Sequence, residues 1–242
     1  MENPLQTSKS PDSGLEAPKP YTRARCAAEL SVVTIALLVM SRLLFMAKGV
    51  DFIGKILPVA IAVLFLYGPV AVIWNRRRRI DFLDDGFVSY LKSIHTFLIV
   101  ALIVFPPYLM AAHFWQLTVG GYSSFSAAGF SDFWSAAMFQ ILIVALPEEF
   151  YFRGYFQSTI NLVTQRRWNV FGTRLGWGWL ITALVFAFAH SVVYYRWWHF
   201  AIFFPALVFG YLRERTGAIT APVLFHAASN LLMDWFARSY IV

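Results

Sequence analysis

Cysteine is almost missing from this sequence: Cys26 is the only one. No intrachain disulfide can form, which excludes a cross-linked secreted scaffold. Charge is scarce too. Asp, Glu, Lys and Arg make up 14% of the chain and hydrophobic residues 59%, against about 25% and 45–50% in soluble domains. The alternating segments of an outer-membrane barrel are also lacking. In their place stand apolar runs of about 20 residues, long enough to cross a bilayer as helices. The net charge is +7, but it sits in short clusters between apolar spans. That is the pattern of inner-face loops, so nucleic acid is not expected as a partner.

What is present reads as an all-α polytopic membrane bundle of about seven transmembrane helices. Residues 1–22 are polar and carry four prolines, Pro4, Pro11, Pro18 and Pro20; such a segment buries too little apolar area to order itself and reads as a disordered tail. Spans are expected near 26–47, 52–74, 94–114 (kinked at Pro106-Pro107), through the Glu148-Glu149 pair, and near 177–195, 199–212 and 217–237. This divides the chain into the tail 1–22, N-terminal helices over 23–130 and a catalytic core over 131–242. Cys26, at the edge of the first span, reads as an inert small residue.

Charge orients the bundle. With Arg23 and Arg25 inside, Arg76 to Arg79, Lys92, Arg166, Arg167, Arg174, Arg213 and Arg215 also fall inside. The loop Trp115 to Ser131 holds no Lys or Arg and suits the outer face. It reads as an ordinary loop, with a mobile cover as the alternative. The aromatic cluster Tyr194 to His199 reads as an interfacial belt, and His95 and His113 as interfacial side chains.

Pro147-Glu148-Glu149-Phe150-Tyr151-Phe152-Arg153 follows an apolar run and organises the rest. Charge within a bilayer is expensive and usually paired and functional. On a helix Glu149 and Arg153 share one face as an i,i+4 ion pair. Glu148 then points about 100° away, free for chemistry. The expected element is one long helix, kinked or restarted at Pro147 and ending near Arg166. Two later spans carry His190 and the pair His226 and Asn230, one turn apart on one face. Anchored on the basic loops, these side chains fall at a similar depth as Glu148. A carboxylate, two imidazoles and a carboxamide at one level suit a hydrolytic site: a base for a water, and donors for an oxyanion.

Glu148-Glu149-x-x-x-Arg153, Phe186-x-x-x-His190 and His226-x-x-x-Asn230 occur in this order in separate spans. The sequence thereby resembles the CPBP intramembrane proteases, also called the CAAX prenyl endopeptidase or ABI family, over about residues 135–240. The resemblance implies a glutamate-dependent, metal-independent endopeptidase without a cofactor. Glu148 and His190 would activate water, His226 and Asn230 would hold the oxyanion, and Glu149 and Arg153 would support the site. It implies a membrane-anchored protein or peptide substrate, with C-terminal sorting tails of exported proteins or prenylated proteins as candidates. The expected location is a bacterial cytoplasmic membrane, N-terminus inside. Two alternatives stand beside it. Glu148, His190 and His226 suit zinc by residue type, though the adjacent glutamates lack the H-E-x-x-H spacing. A non-catalytic immunity or adaptor protein would use the same cavity for binding.

The topology is directly testable. Single cysteines placed near Ser124 are expected to react with a membrane-impermeant reagent from outside; labelling only from the cytoplasmic side would overturn it.

Overall fold

The computed structural model describes residues 22–76, 80–129, 132–194 and 197–241. The expected tail, Thr22 excepted, and the Arg77 to Arg79 part of the basic cluster lie outside them. So do the side chains of the aromatic cluster at 194–198. Among the described residues seven main helices follow one another: α1 (Arg23–Met46), α2 (Asp51–Asn75), α3 (Gly86–Thr118), α4 (Phe133–Val163), α5 (Trp177–Tyr194), α6 (Phe203–Thr216) and α7 (Thr220–Arg238). The first four are long and apolar enough to cross a membrane. α3 runs on through Pro106 and Pro107 and is longer at both ends than the apolar run alone suggests.

α4 is the axis of the bundle, and its winding is unusual. Gln140–Ala145 and Phe150–Gln157 are π-helical and flank a single α turn, Leu146–Glu149. Pro147 has no N–H to give, and in an α-helix its ring would press on the carbonyl four residues back. Just before it, the Leu146 N–H reaches Ile141 O, five residues back. The wider turn absorbs the proline without breaking the helix, and π-turns of this kind collect at functional sites. Every residue from Phe150 to Gln157 is buried.

α1 lies antiparallel to α4 and is bonded to it in register along its length. Arg23 Nε donates to Val163 O (3.2 Å), Cys26 Sγ approaches Thr159 O (3.6 Å), Tyr155 OH donates to Glu29 Oε1 (2.8 Å), and Thr34 Oγ1 meets Tyr151 OH (2.6 Å). Cys26 is thus buried packing. From α2, Phe65 packs edge-on against Tyr151 at 5.4 Å. On the other side, Glu214 of α6 gathers the far end of α4: Gln157 Nε2 (2.8 Å) and Asn161 Nδ2 (2.6 Å) donate to its Oε1, and Arg166 Nε to its Oε2 (2.9 Å). Arg23, Arg76, Arg166 and Arg213 all make their contacts at this end of α4.

Two small sheets were not expected from the apolar pattern. β2 (Arg166–Val170) and β3 (Thr173–Gly176) form a hairpin whose turn residues, Phe171 and Gly172, both have positive φ. That backbone matches the strand twist of a tight hairpin, but phenylalanine is a poor advertisement for it. At the other end of the bundle β1 (Ser124–Phe125) pairs antiparallel with β4 (Tyr240–Ile241). Trp235 Nε1 donates to Ala128 O (2.9 Å), the Ala128 N–H to Ser239 Oγ (3.0 Å), and His113 Nδ1 bonds Tyr240 OH (2.7 Å). The loop after α3 is therefore fastened to the C-terminal strand, which fits a stitched loop better than a mobile cover. His113 has a specific partner in the same clasp.

Gly154 is required by close approach: a Cβ there would lie 2.5 Å from the ring of buried Phe82. Gly154→Ala is expected to lower stability by about 1–3 kcal/mol through overpacking, read as thermal unfolding in detergent. Phe82→Leu in the same chain should recover part of the loss. An unmoved midpoint for the single variant would mean that the ring yields freely.

Candidate functional site

The adjacent acids of α4 part ways because successive helical side chains diverge by about 100°. Glu149 turns into the protein. It is 0% exposed, and Arg153 Nη1 donates to its Oε1 at 2.9 Å from an equally buried guanidinium. Arg153 Nη2 also donates to Ala206 O of α6 (3.2 Å). Its guanidinium carbon lies 4.4 Å from the Phe186 ring centre and 4.9 Å from that of Phe209. Such aromatic faces attract a desolvated cation. The expected i,i+4 pair is present, and the neighbouring helices enclose it.

Glu149 Oε1 accepts a second bond, from His226 Nδ1 of α7 at 2.9 Å. A carboxylate has no proton to give, so Nδ1 carries the hydrogen and Nε2 is the nitrogen left for the far side. His226 stacks on Phe209 at 4.8 Å and an interplanar angle of 14°. Its ring is held at the edge and on the face.

Glu148 turns the other way, into a cavity of about 740 Å³. Its side chain is 19% exposed. His190 of α5 approaches from one side with Nε2 3.7 Å from Glu148 Oε2; His226 Nε2 approaches from the other at 3.9 Å. The His190 Nδ1 lies 3.0 Å from Phe186 O. Carbonyl oxygens only accept, so this ring too donates from Nδ1 and presents Nε2 to the glutamate. The two gaps exceed a direct hydrogen bond, so an oxygen bridging the three groups would sit on their cavity side. Asn230 lines the same cavity, with its Nδ2 donating to Gln140 Oε1 at 2.9 Å.

The structure thus brings Glu148, His190, His226 and Asn230 to one cavity, with Glu149 and Arg153 packed behind it. Much of the remaining lining is apolar, including Phe105, Ile202, Phe204, Val208, Leu232 and Met233. Among the described residues no three His, Cys, Asp or Glu side chains are grouped to hold a metal ion, and the Glu148, His190 and His226 set is no exception. The sequence reading missed the contributions of Gln140, Phe186 and Phe209. Gln140 carried a signal, as the one amide in the apolar run from Ala136 to Leu146.

No curated protein and no solved structure matches the chain. A family model does, over residues 130–232: Rce1-like, described as type II CAAX prenyl endopeptidase Rce1-like. The match begins at α4 and takes in every side chain of the site; α1 to α3 lie outside it. Across that segment the three spaced motifs, the shared cavity and the family model agree, and residues 130–232 are similar to the Rce1-like CAAX prenyl endopeptidases.

Proposed function

We propose that this CAAX-type membrane endopeptidase cleaves its substrate by a glutamate mechanism, with water as the nucleophile. The observation that carries the reading is the convergence of Glu148 Oε2 with the Nε2 atoms of His190 and His226, at 3.7 and 3.9 Å, on one cavity. A water between them would donate one hydrogen to Glu148 and one to His190. As its oxygen bonds to the scissile carbonyl carbon, Glu148 takes the proton. It returns that proton to the amide nitrogen as the C–N bond breaks.

The tetrahedral oxyanion would face Asn230 Nδ2 and His226 Nε2. His226 donates from Nε2 only when it carries both protons. The Glu149 carboxylate at its Nδ1 orients the ring, as a buried acid orients the histidine of a serine protease triad. Arg153 fixes Glu149 in place. No step in this scheme uses a metal.

The clustering of Arg23, Arg76, Arg166 and Arg213 at the C-terminal end of α4 supports an N-terminus-inside orientation, since cytoplasmic loops concentrate such residues. Glu148 would then lie toward the outer half of the membrane. This favours exported or membrane-tethered proteins, including those with C-terminal sorting tails, over prenylated proteins as substrates. The largely apolar lining of the cavity suits a segment arriving from lipid.

Glu148→Gln is expected to cut turnover by about 10²–10⁴-fold, the usual share of a positioned general base, with the thermal midpoint little changed because Glu148 takes no part in the buried ion pair. The measurement is intact-mass detection of cleavage on co-expression with tail-bearing and with prenylated candidates. Activity should survive exhaustive chelation; loss on chelation with recovery on zinc would favour the metallopeptidase. A fully active Glu148→Gln protein would end the glutamate reading.

A further inference from the structure

Gln140 stands alone as a polar side chain between Ala136 and Pro147, in a helix that crosses apolar surroundings. An unpartnered amide there is costly. Its oxygen takes the Asn230 Nδ2 hydrogen at 2.9 Å, across the α4–α7 interface. Gln140, Val144 and Glu148 follow at four-residue intervals, so they share a face of α4. Val144 and Glu148 both line the cavity, as does Asn230.

A lone asparagine at such a wall has two orientations, exchanged by rotation of its terminal amide. In one the N–H group faces the cavity side; in the other the carbonyl oxygen does. An oxyanion needs the first, and the second would repel it. The Gln140 oxygen accepts and cannot donate. In the arrangement present it engages one hydrogen of Asn230 Nδ2 and leaves the second available; the opposite arrangement requires both amides to turn together.

We propose that Gln140 is a positioning residue for catalysis, which sets the Asn230 carboxamide so that its N–H serves the oxyanion. This rests on the glutamate-peptidase reading of the site. Because the oxyanion exists only in the transition state, loss of positioning acts on kcat and not on ground-state binding. One oxyanion donor is worth about 10²–10³-fold, and a misoriented one forfeits a large part of that.

The test compares Gln140→Met, which keeps the volume and removes the acceptor, with Asn230→Ala, the double variant and Glu148→Gln, on one purified substrate in detergent. Expected for Gln140→Met is a fall in kcat of about 10–100-fold, with KM within about twofold. In the Asn230→Ala background the same change should add no further loss, because residues that act as one unit are not additive. If Gln140→Met fails to accumulate, Gln140→Ser replaces it. Unchanged kcat beside an inactive Glu148→Gln protein overturns the role of Gln140 alone and leaves the site reading standing. An equal loss with and without Asn230, together with a lowered thermal midpoint, makes the contact mere helix-to-helix adhesion. An active Glu148→Gln protein removes the reading beneath.

Discussion

The buried carboxylate of Glu149 is the constraint on which the rest depends. It has no exposed surface, and the same oxygen takes Arg153 and His226 at 2.9 Å each. Removing a carboxylate and a guanidinium from water costs several kcal/mol per ion even after relaxation, and their attraction repays this only when the remaining hydrogen-bonding groups are also met. Here the surroundings meet much of that demand. Ala206 O accepts from the guanidinium, and Phe186 and Phe209 supply faces to it. The partners come from three other helices, Phe186 from α5, Ala206 and Phe209 from α6 and His226 from α7, so the ion pair is satisfied only when all three are docked on α4. Charge placement thus specifies packing, in a setting where apolar contact gives little preference between helix and lipid.

That arrangement makes the neighbouring glutamate useful. Two identical side chains, adjacent in sequence, are assigned opposite environments by the turn of one helix. Glu149 is locked and Glu148 faces open volume. The lock then reaches the open side through His226, whose Nδ1 is committed to Glu149 and whose Nε2 is thereby aimed at Glu148. The π-wound stretches on either side of Leu146–Glu149 let α4 carry Pro147 through the bundle without a break. The register with α1, from Arg23–Val163 to Thr34–Tyr151, stops the axis from sliding or turning.

Most of this was legible in residues that violate their surroundings. An acid, a guanidinium or an imidazole in an apolar run announces itself, and so Glu148, Glu149, Arg153, His190, His226 and Asn230 could be singled out before any coordinates. The first four helices were legible because each of their apolar runs is about as long as a bilayer is thick. Less legible was whatever depends on distant pairing. Gln140 meets a partner 90 residues away, and one amide in an apolar run does not name its partner. The β1–β4 clasp joins two-residue strands separated by nearly half of the chain. The Phe171-Gly172 turn lacks the Asn-Gly signature that marks a tight hairpin. Nor does π winding have a periodic pattern of its own; Pro147 hints at an irregularity without giving its kind.

The cavity adds a last physical consequence. Its lining is mostly apolar, with Glu148, His190, His226 and Asn230 among its few polar side chains. A substrate carbonyl reaching those groups leaves water behind, and so does the oxyanion made from it. In such a medium a fixed N–H or imidazolium is worth far more than in bulk water, and it needs no reorganisation when charge develops. Two well-held donors can therefore suffice where a solvated site would need more. At about 740 Å³ the cavity has room for a short peptide segment as well as water, whose share of liquid volume is about 30 Å³ per molecule. Fixed polar side chains and apolar space are thus the two demands of the proposed hydrolysis, and α4 serves the first with both faces: Glu148 on the cavity, Glu149 and Arg153 locked behind it.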